Sequence, residues 1–63
     1  MKVYKSMLIN NIPHSVVAKK IYGGDLYWAV IKGGHFDNEI IYKFDSREMA
    51  VKCLIGLYAI TKE

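Results

Sequence analysis

The sequence predicts an α+β domain: an antiparallel β-meander of order β-β-β-β-α, with one C-terminal helix packed on one face of the sheet. Three observations predict it. Short runs rich in β-branched and aromatic residues recur between Val3 and Phe44. Pairs of turn-forming residues, Asn10-Asn11, Gly23-Gly24 and Gly33-Gly34, separate those runs. After Asp45-Ser46 the apolar residues change from strand to helical spacing. Consecutive strands joined by short links favour a meander over a crossover topology.

The first run, Val3 to Ile9, sets Val3, Met7 and Ile9 at even spacing, with Lys5 interrupting that face. Asn10-Asn11-Ile12-Pro13 reads as a turn, since Pro13 lacks a ladder donor and restricts Ile12. Ser15 to Tyr22 follows as the second strand. Gly23-Gly24 can supply the positive φ angles of a two-residue hairpin. That hairpin puts Tyr22 opposite Asp25, Lys20 opposite Tyr27, Lys19 opposite Trp28, Ala18 opposite Ala29 and Val17 opposite Val30. One face then carries Val16, Ala18, Lys20, Tyr22, Tyr27, Ala29 and Ile31. The other carries Val17, Lys19, Ile21, Leu26, Trp28, Val30 and Lys32. Neither face is polar, so both are expected to be at least partly covered. Facing alanines would admit a close helix, which places Tyr27, Ala29 and Ile31 inward and Trp28 outward.

Gly33 to Asn38 connects to a fourth strand, Glu39 to Phe44. The helix begins at Asp45 or Ser46, with Asp45 and Glu48 at capping-box spacing if Asp45 is the cap. Met49, Ala50, Cys53, Leu54, Leu57 and Ile60 fall on one stripe, expected to lie on the sheet. Val51, Ile55 and Tyr58 form a flanking stripe, expected to serve dimerisation. Gly56 in mid-helix costs about 1 kcal/mol against Ala, so it marks either a close backbone approach or a tolerated residue.

Composition bounds the function. Residues 1–63 make one domain, and a chain so short buries only about 60% of the surface that its unfolded form exposes. Yet 52% of its residues are hydrophobic, more than so small an interior can hide. A partner is therefore expected, in the simplest case a second copy. The net charge of +3 permits nucleic-acid contact without requiring it. Lys5 and Asn10 bracket too few apolar residues for a secretory segment, no run reaches membrane-spanning length, and the lone Cys53 cannot form an internal disulfide. A cytoplasmic protein without membrane contact is the expectation.

No reactive constellation is visible. His14 and His35, with Asp37 and Cys53, match no compact zinc spacing and read as surface-loop histidines. Cys53 falls on the inward stripe, as a small buried hydrophobe rather than a nucleophile. Neither glycine pair leads into a helix start, where a phosphate would bind. No enzyme, cofactor or metal is expected. The candidate site is the outward sheet face, where Lys19, Trp28, Lys32 and Lys43 interleave charge with an aromatic ring, as a nucleic-acid surface does. Val17, Ile21, Leu26, Val30 and Ile41 on the same face suit a dry protein contact better.

The segments WAVIK and FDSREMA resemble the strand-strand-helix core of plant ethylene-response DNA-binding domains and of the amino-terminal domains of tyrosine-recombinase integrases. The matching positions are Ala29, Ile31, Phe44, Ser46, Glu48 and Ala50. The resemblance implies a helix packed on the sheet by these residues, and an opposite sheet face that enters the major groove through Lys19, Trp28, Lys32 and Lys43. The Trp-Ala strand and hydroxyl-capped helix are also similar to those of a small phage inhibitor of bacterial RNA polymerase. Two expectations result. The first is a non-catalytic inhibitor or adaptor of the phage or mobile-element accessory kind, docking on a partner protein such as nucleic-acid-handling machinery. The second is a small DNA-binding regulator.

Overall fold

The computed structural model describes residues 2–21, 23–34 and 36–62. They form β1 (Val3–Ile9), β2 (Ile12–Lys20), β3 (Leu26–Gly33), β4 (Asn38–Phe44) and α1 (Arg47–Lys62). All neighbouring strands are antiparallel, and the spatial order β1-β2-β3-β4 is that of a meander. The single helix packs across one sheet face, touching all four strands. The α+β meander that the sequence predicts is the fold.

Local chemistry explains the turns. Asn10 and Asn11 have φ of 53° and 66°, so the first connection is a two-residue turn of the primed kind, with Ile9 opposite Ile12. Pro13 thus lies inside β2, not in the turn. It stands opposite Leu8 in the pair next to the closing one, which an antiparallel ladder leaves unbonded, so its missing N–H breaks nothing. In the last connection the Gly34 N–H donates to the Asp37 carbonyl at 3.0 Å, and the Asn38 side-chain amide donates to the Gly34 carbonyl at 3.0 Å. Gly33 takes φ of 121°, and a Cβ there would meet the Asp37 carbonyl oxygen and approach Asn38 Cα to 2.9 Å. Only glycine fits that position.

The β2–β3 hairpin corrects the expected register. The Ile21 N–H donates to the Asp25 carbonyl at 2.7 Å and the Gly24 N–H to the Ile21 carbonyl at 2.9 Å, so three residues rather than two separate the last bonded pair. The pairs are Ala18 with Trp28, Lys19 with Tyr27 and Lys20 with Leu26, one residue away from the sequence reading. A one-residue slip exchanges the faces of one strand relative to the other. Val16 therefore shares a face with Trp28 and Val30, under the helix. Val17, Ala29 and Ile31 take the face away from it. The expected pair of Tyr22 with Asp25 lies outside the described residues.

The helix-side core consists of Ile9, Val16, Val30, Ala50 and Leu54, with Tyr4, Met7, Trp28, Ile41, Phe44, Val51, Cys53, Leu57 and Tyr58 against it. Two irregularities enlarge it. The β1–β2 register shifts at Tyr4 and the β3–β4 register at Ile41, so each edge strand carries one extra residue there. Both extra side chains pack on the helix side. In β1 the inward set is thus Tyr4, Met7 and Ile9, while Val3 opposite Val17 points away.

Ser46 is the helix cap: its Oγ accepts from the Met49 N–H at 3.2 Å and its carbonyl from the Ala50 N–H at 3.3 Å. Glu48 pairs instead with Lys52, at 3.2 Å on the exposed face. The buried stripe is narrower and rotated from the expected one. Ala50 and Leu54 are fully buried, with Val51, Leu57 and Tyr58 beside them, whereas Met49 and Ile60 are exposed. The mean direction of Ala50, Leu54 and Tyr58 sets the inward face, and Met49 and Ile60 fall more than about 100° round the helix from it. Gly56 has open space where its Cβ would stand, so no part of the chain approaches it closely.

Candidate partner-binding surface

The sheet face away from the helix holds a second cluster, Val17, Ala29 and Ile31, with Tyr27 and Ile40 packed against it. Strand alternation puts Val3, Leu8, Lys19 and Lys43 on the same face. No other element of the chain lies over it among the described residues, so these neighbours themselves close Val17 and Ala29 to 0% exposure. What a partner would meet is therefore the collar: exposed Val3 and Leu8, half-buried Tyr27 and Ile40, and the lysines.

Tyr27 is the centre of the charged part. Lys19 stands directly opposite it on β2, and the Lys43 ammonium lies 5.5 Å from its ring centroid. That distance is within reach of a cation–π contact, which holds Lys43 against the ring without neutralising it. Lys20, Ile21, Tyr27, Lys43, Phe44 and Asp45 also border a cleft of about 520 Å³ at this end of the sheet. Two sheet-face lysines and a ring thus converge where the sequence reading placed a site, but the ring is Tyr27.

Trp28 is not part of this face. It packs on the helix side, half-buried, with its ring edge-on to Tyr4 at 4.9 Å and 77° between the planes. Lys32 follows the same alternation and borders a cleft on the helix side with Ile9, His14 and Leu57. Of the four sequence-predicted residues the structure joins Lys19 with Lys43, and separates Trp28 and Lys32 from them. Of the three expected at a dimer contact, Val51 and Tyr58 belong to the core, and Ile55 is exposed. The six positions of the family resemblance divide as well. Phe44, Ser46 and Ala50 pack or cap on the helix side, Glu48 pairs with Lys52 on the exposed face of the helix, and Ala29 and Ile31 lie on the opposite sheet face.

Three features escaped the sequence reading. Tyr4 carries cations on its ring, with Lys2 at 5.1 Å and Arg47 at 5.5 Å from the centroid. His14 is a buried β2 residue and not a loop histidine, with 6% exposure, its Nδ1–H donating to the Ile12 carbonyl at 2.8 Å. The third is the set of exposed apolar side chains on α1, Met49 and Ile60 on one flank and Ile55 on the other. His35 lies outside the described residues. Cys53 sits half-buried beside the core, and burial pushes its thiol pKa up. No group of three or more His, Cys, Asp or Glu side chains arranged to hold a metal ion occurs among the described residues. No helix is long and apolar enough to cross a membrane. No family model, curated protein or solved structure matches the chain.

Proposed function

We propose that this chain is a non-catalytic binding module, an inhibitor or adaptor that docks on a partner protein through the sheet face away from its helix. One observation carries the reading: that face is apolar, no second layer covers it among the described residues, and lysines edge it. Its aromatic and aliphatic collar would exclude water at the centre of a contact, while Lys19 and Lys43 would steer toward an acidic rim. A second copy of the chain is a further partner suited to the exposed Met49, Ile55 and Ile60, apolar side chains that a contact would remove from water.

A second reading, nucleic-acid binding, rests on Tyr27 between Lys19 and Lys43, since a ring can stack on a base while the flanking charges meet phosphates. Immobilised full chain, used to capture partners from its source cell with and without nuclease, separates the two. A protein partner survives nuclease, is lost with Leu8→Glu on the apolar collar, and is only weakened by Lys19→Ala or Lys43→Ala. A catch that disappears with nuclease and loses about one unit of salt slope per lysine supports the nucleic-acid reading instead.

A further inference from the structure

On the helix side, where the β1–β2 turn meets the last turns of α1, a cleft of about 380 Å³ is lined by Ile9, Ile12, His14, Lys32, Ile41 and Leu57, among others. Its size is that of a small-molecule site, and its walls are mostly aliphatic with few polar groups. Two of those polar groups have hydrogen-bonding capacity to spare.

His14 is more than nine-tenths buried, and its Nδ1–H is committed to the Ile12 carbonyl. Its Nε2 makes no hydrogen bond. No buried side-chain nitrogen or oxygen among the described residues lacks a partner, so Nε2 must reach accessible space, which its ring finds in the cleft. Lys32 stands directly opposite His14 on the same face, at cross-strand distance. Among the described residues its ammonium enters no ion pair; Glu39, its neighbour on β4, is exposed and does not bridge to it. Two features near the cleft are unfavourable to an anion: the Glu39 carboxylate, across from Lys32 on the neighbouring strand, and the carboxyl end of α1. There the Thr61 hydroxyl already donates to the Leu57 and Tyr58 carbonyls, at 3.0 and 3.1 Å, which reduces their field.

We propose that this cleft binds a small amphipathic carboxylate. The apolar body lies against Ile9, Ile12, Ile41 and Leu57, the carboxylate meets the Lys32 ammonium, and His14 Nε2, an acceptor, gives the head group a second polar contact through a water that donates to both. A cation would be repelled by Lys32, and an uncharged alcohol could donate to His14 Nε2 but would gain no charge contact with Lys32. The cleft is on the opposite side of the sheet from the proposed docking face, so the two proposals fail independently.

Titration of the ¹⁵N-labelled full chain with sodium octanoate, 1-octanol and octylammonium chloride, read by two-dimensional NMR, tests it. Octanoate is expected to saturate at about millimolar concentration and to shift the amides of Ile9, His14, Lys32, Ile41 and Leu57. Octanol and octylammonium should bind at least about tenfold more weakly, a factor set by loss of one charge contact. Lys32→Met should remove the preference for octanoate and leave octanol binding unchanged; if it disturbs the whole spectrum, Lys32→Gln is the substitute. Equal affinity for octanoate and octanol would overturn the proposal, because the cleft would then be an apolar patch without anion recognition. So would shifts confined to other residues, or no saturation up to about 10 mM.

Discussion

Replacing Trp28 by Ala tests the assignment of the two sheet faces, because a ring under the helix and a ring on an open face give different stability changes. A buried Phe or Trp truncated to Ala costs about 3–5 kcal/mol, and a half-buried one roughly half of that. The edge-on contact with Tyr4 at 4.9 Å adds about 0.5–1.5 kcal/mol. The expected loss is therefore about 2–4 kcal/mol, from a total of roughly 3–9 kcal/mol for a chain of 63 residues. Urea unfolding followed by far-ultraviolet circular dichroism measures it without needing the lost fluorophore. With a slope of about 1 kcal/mol/M for so small a domain, the midpoint should fall by about 2 M or more. A double-mutant cycle with Tyr4→Leu should return a coupling of about 0.5–1.5 kcal/mol. A loss under about 0.5 kcal/mol, the range of ordinary surface changes, would mean that Trp28 faces water and that the hairpin register is the one the glycine pair first suggested.

Other substitutions probe single features. Gly33→Ala should destabilise by at least about 1 kcal/mol in the same assay, because the new Cβ meets the Asp37 carbonyl at a φ of 121°. Gly56→Ala should stabilise by about 0.5–1 kcal/mol, since open space surrounds that position; a stable helix with weaker self-association in sedimentation would instead show that a second copy approaches there. Ser46→Ala should cost about 1 kcal/mol through loss of the cap to the Met49 N–H, with Ser46→Asp restoring most of it. Cys53 should alkylate more slowly than free cysteine at neutral pH. Because its folded pKa lies above the unfolded one, near 8.5, its contribution to stability is complete below that pH and is lost as pH rises through the folded value.

The elements were legible because each is announced by local chemistry. Asn10-Asn11, the glycine pairs and Ser46 mark turns and a cap through properties that neighbouring residues do not alter. The faces were not legible in the same way, since they depend on counting. Gly23 and Gly24 do both take positive φ, as a two-residue hairpin would ask, with angles of 112° and 123°. The bonded pair that closes the loop is nevertheless Ile21 with Asp25, so Ala18 faces Trp28 instead of Ala29. Alternation offered no means of detecting the error, because both candidate faces of this hairpin are apolar and either could lie under a helix.

The same ambiguity bears on function. In a sheet with one wet face, a register error would bury a lysine and be rejected at once. Here Lys19 and Lys43 stay outward only through the true register of β2 and the extra residue at Ile41, which lets β4 present Ile40 to one face while Ile41 and Tyr42 share the other. The extra residue restores alternation beyond it, so that Lys43 comes beside Tyr27 while Phe44 turns under the helix. Deleting Ile41 should therefore remove the bulge and leave a regular ladder, in which Lys43 stays beside Tyr27 and Phe44 stays under the helix while the packing of the Ile41 side chain is lost. Chemical-shift changes around the deletion and on the helix side of β4, with the Tyr27 ring unchanged, are the expected result. A changed Tyr27 ring environment in a folded deletion variant would show that Ile41 is not the extra residue, and would remove the structural basis for locating the partner there.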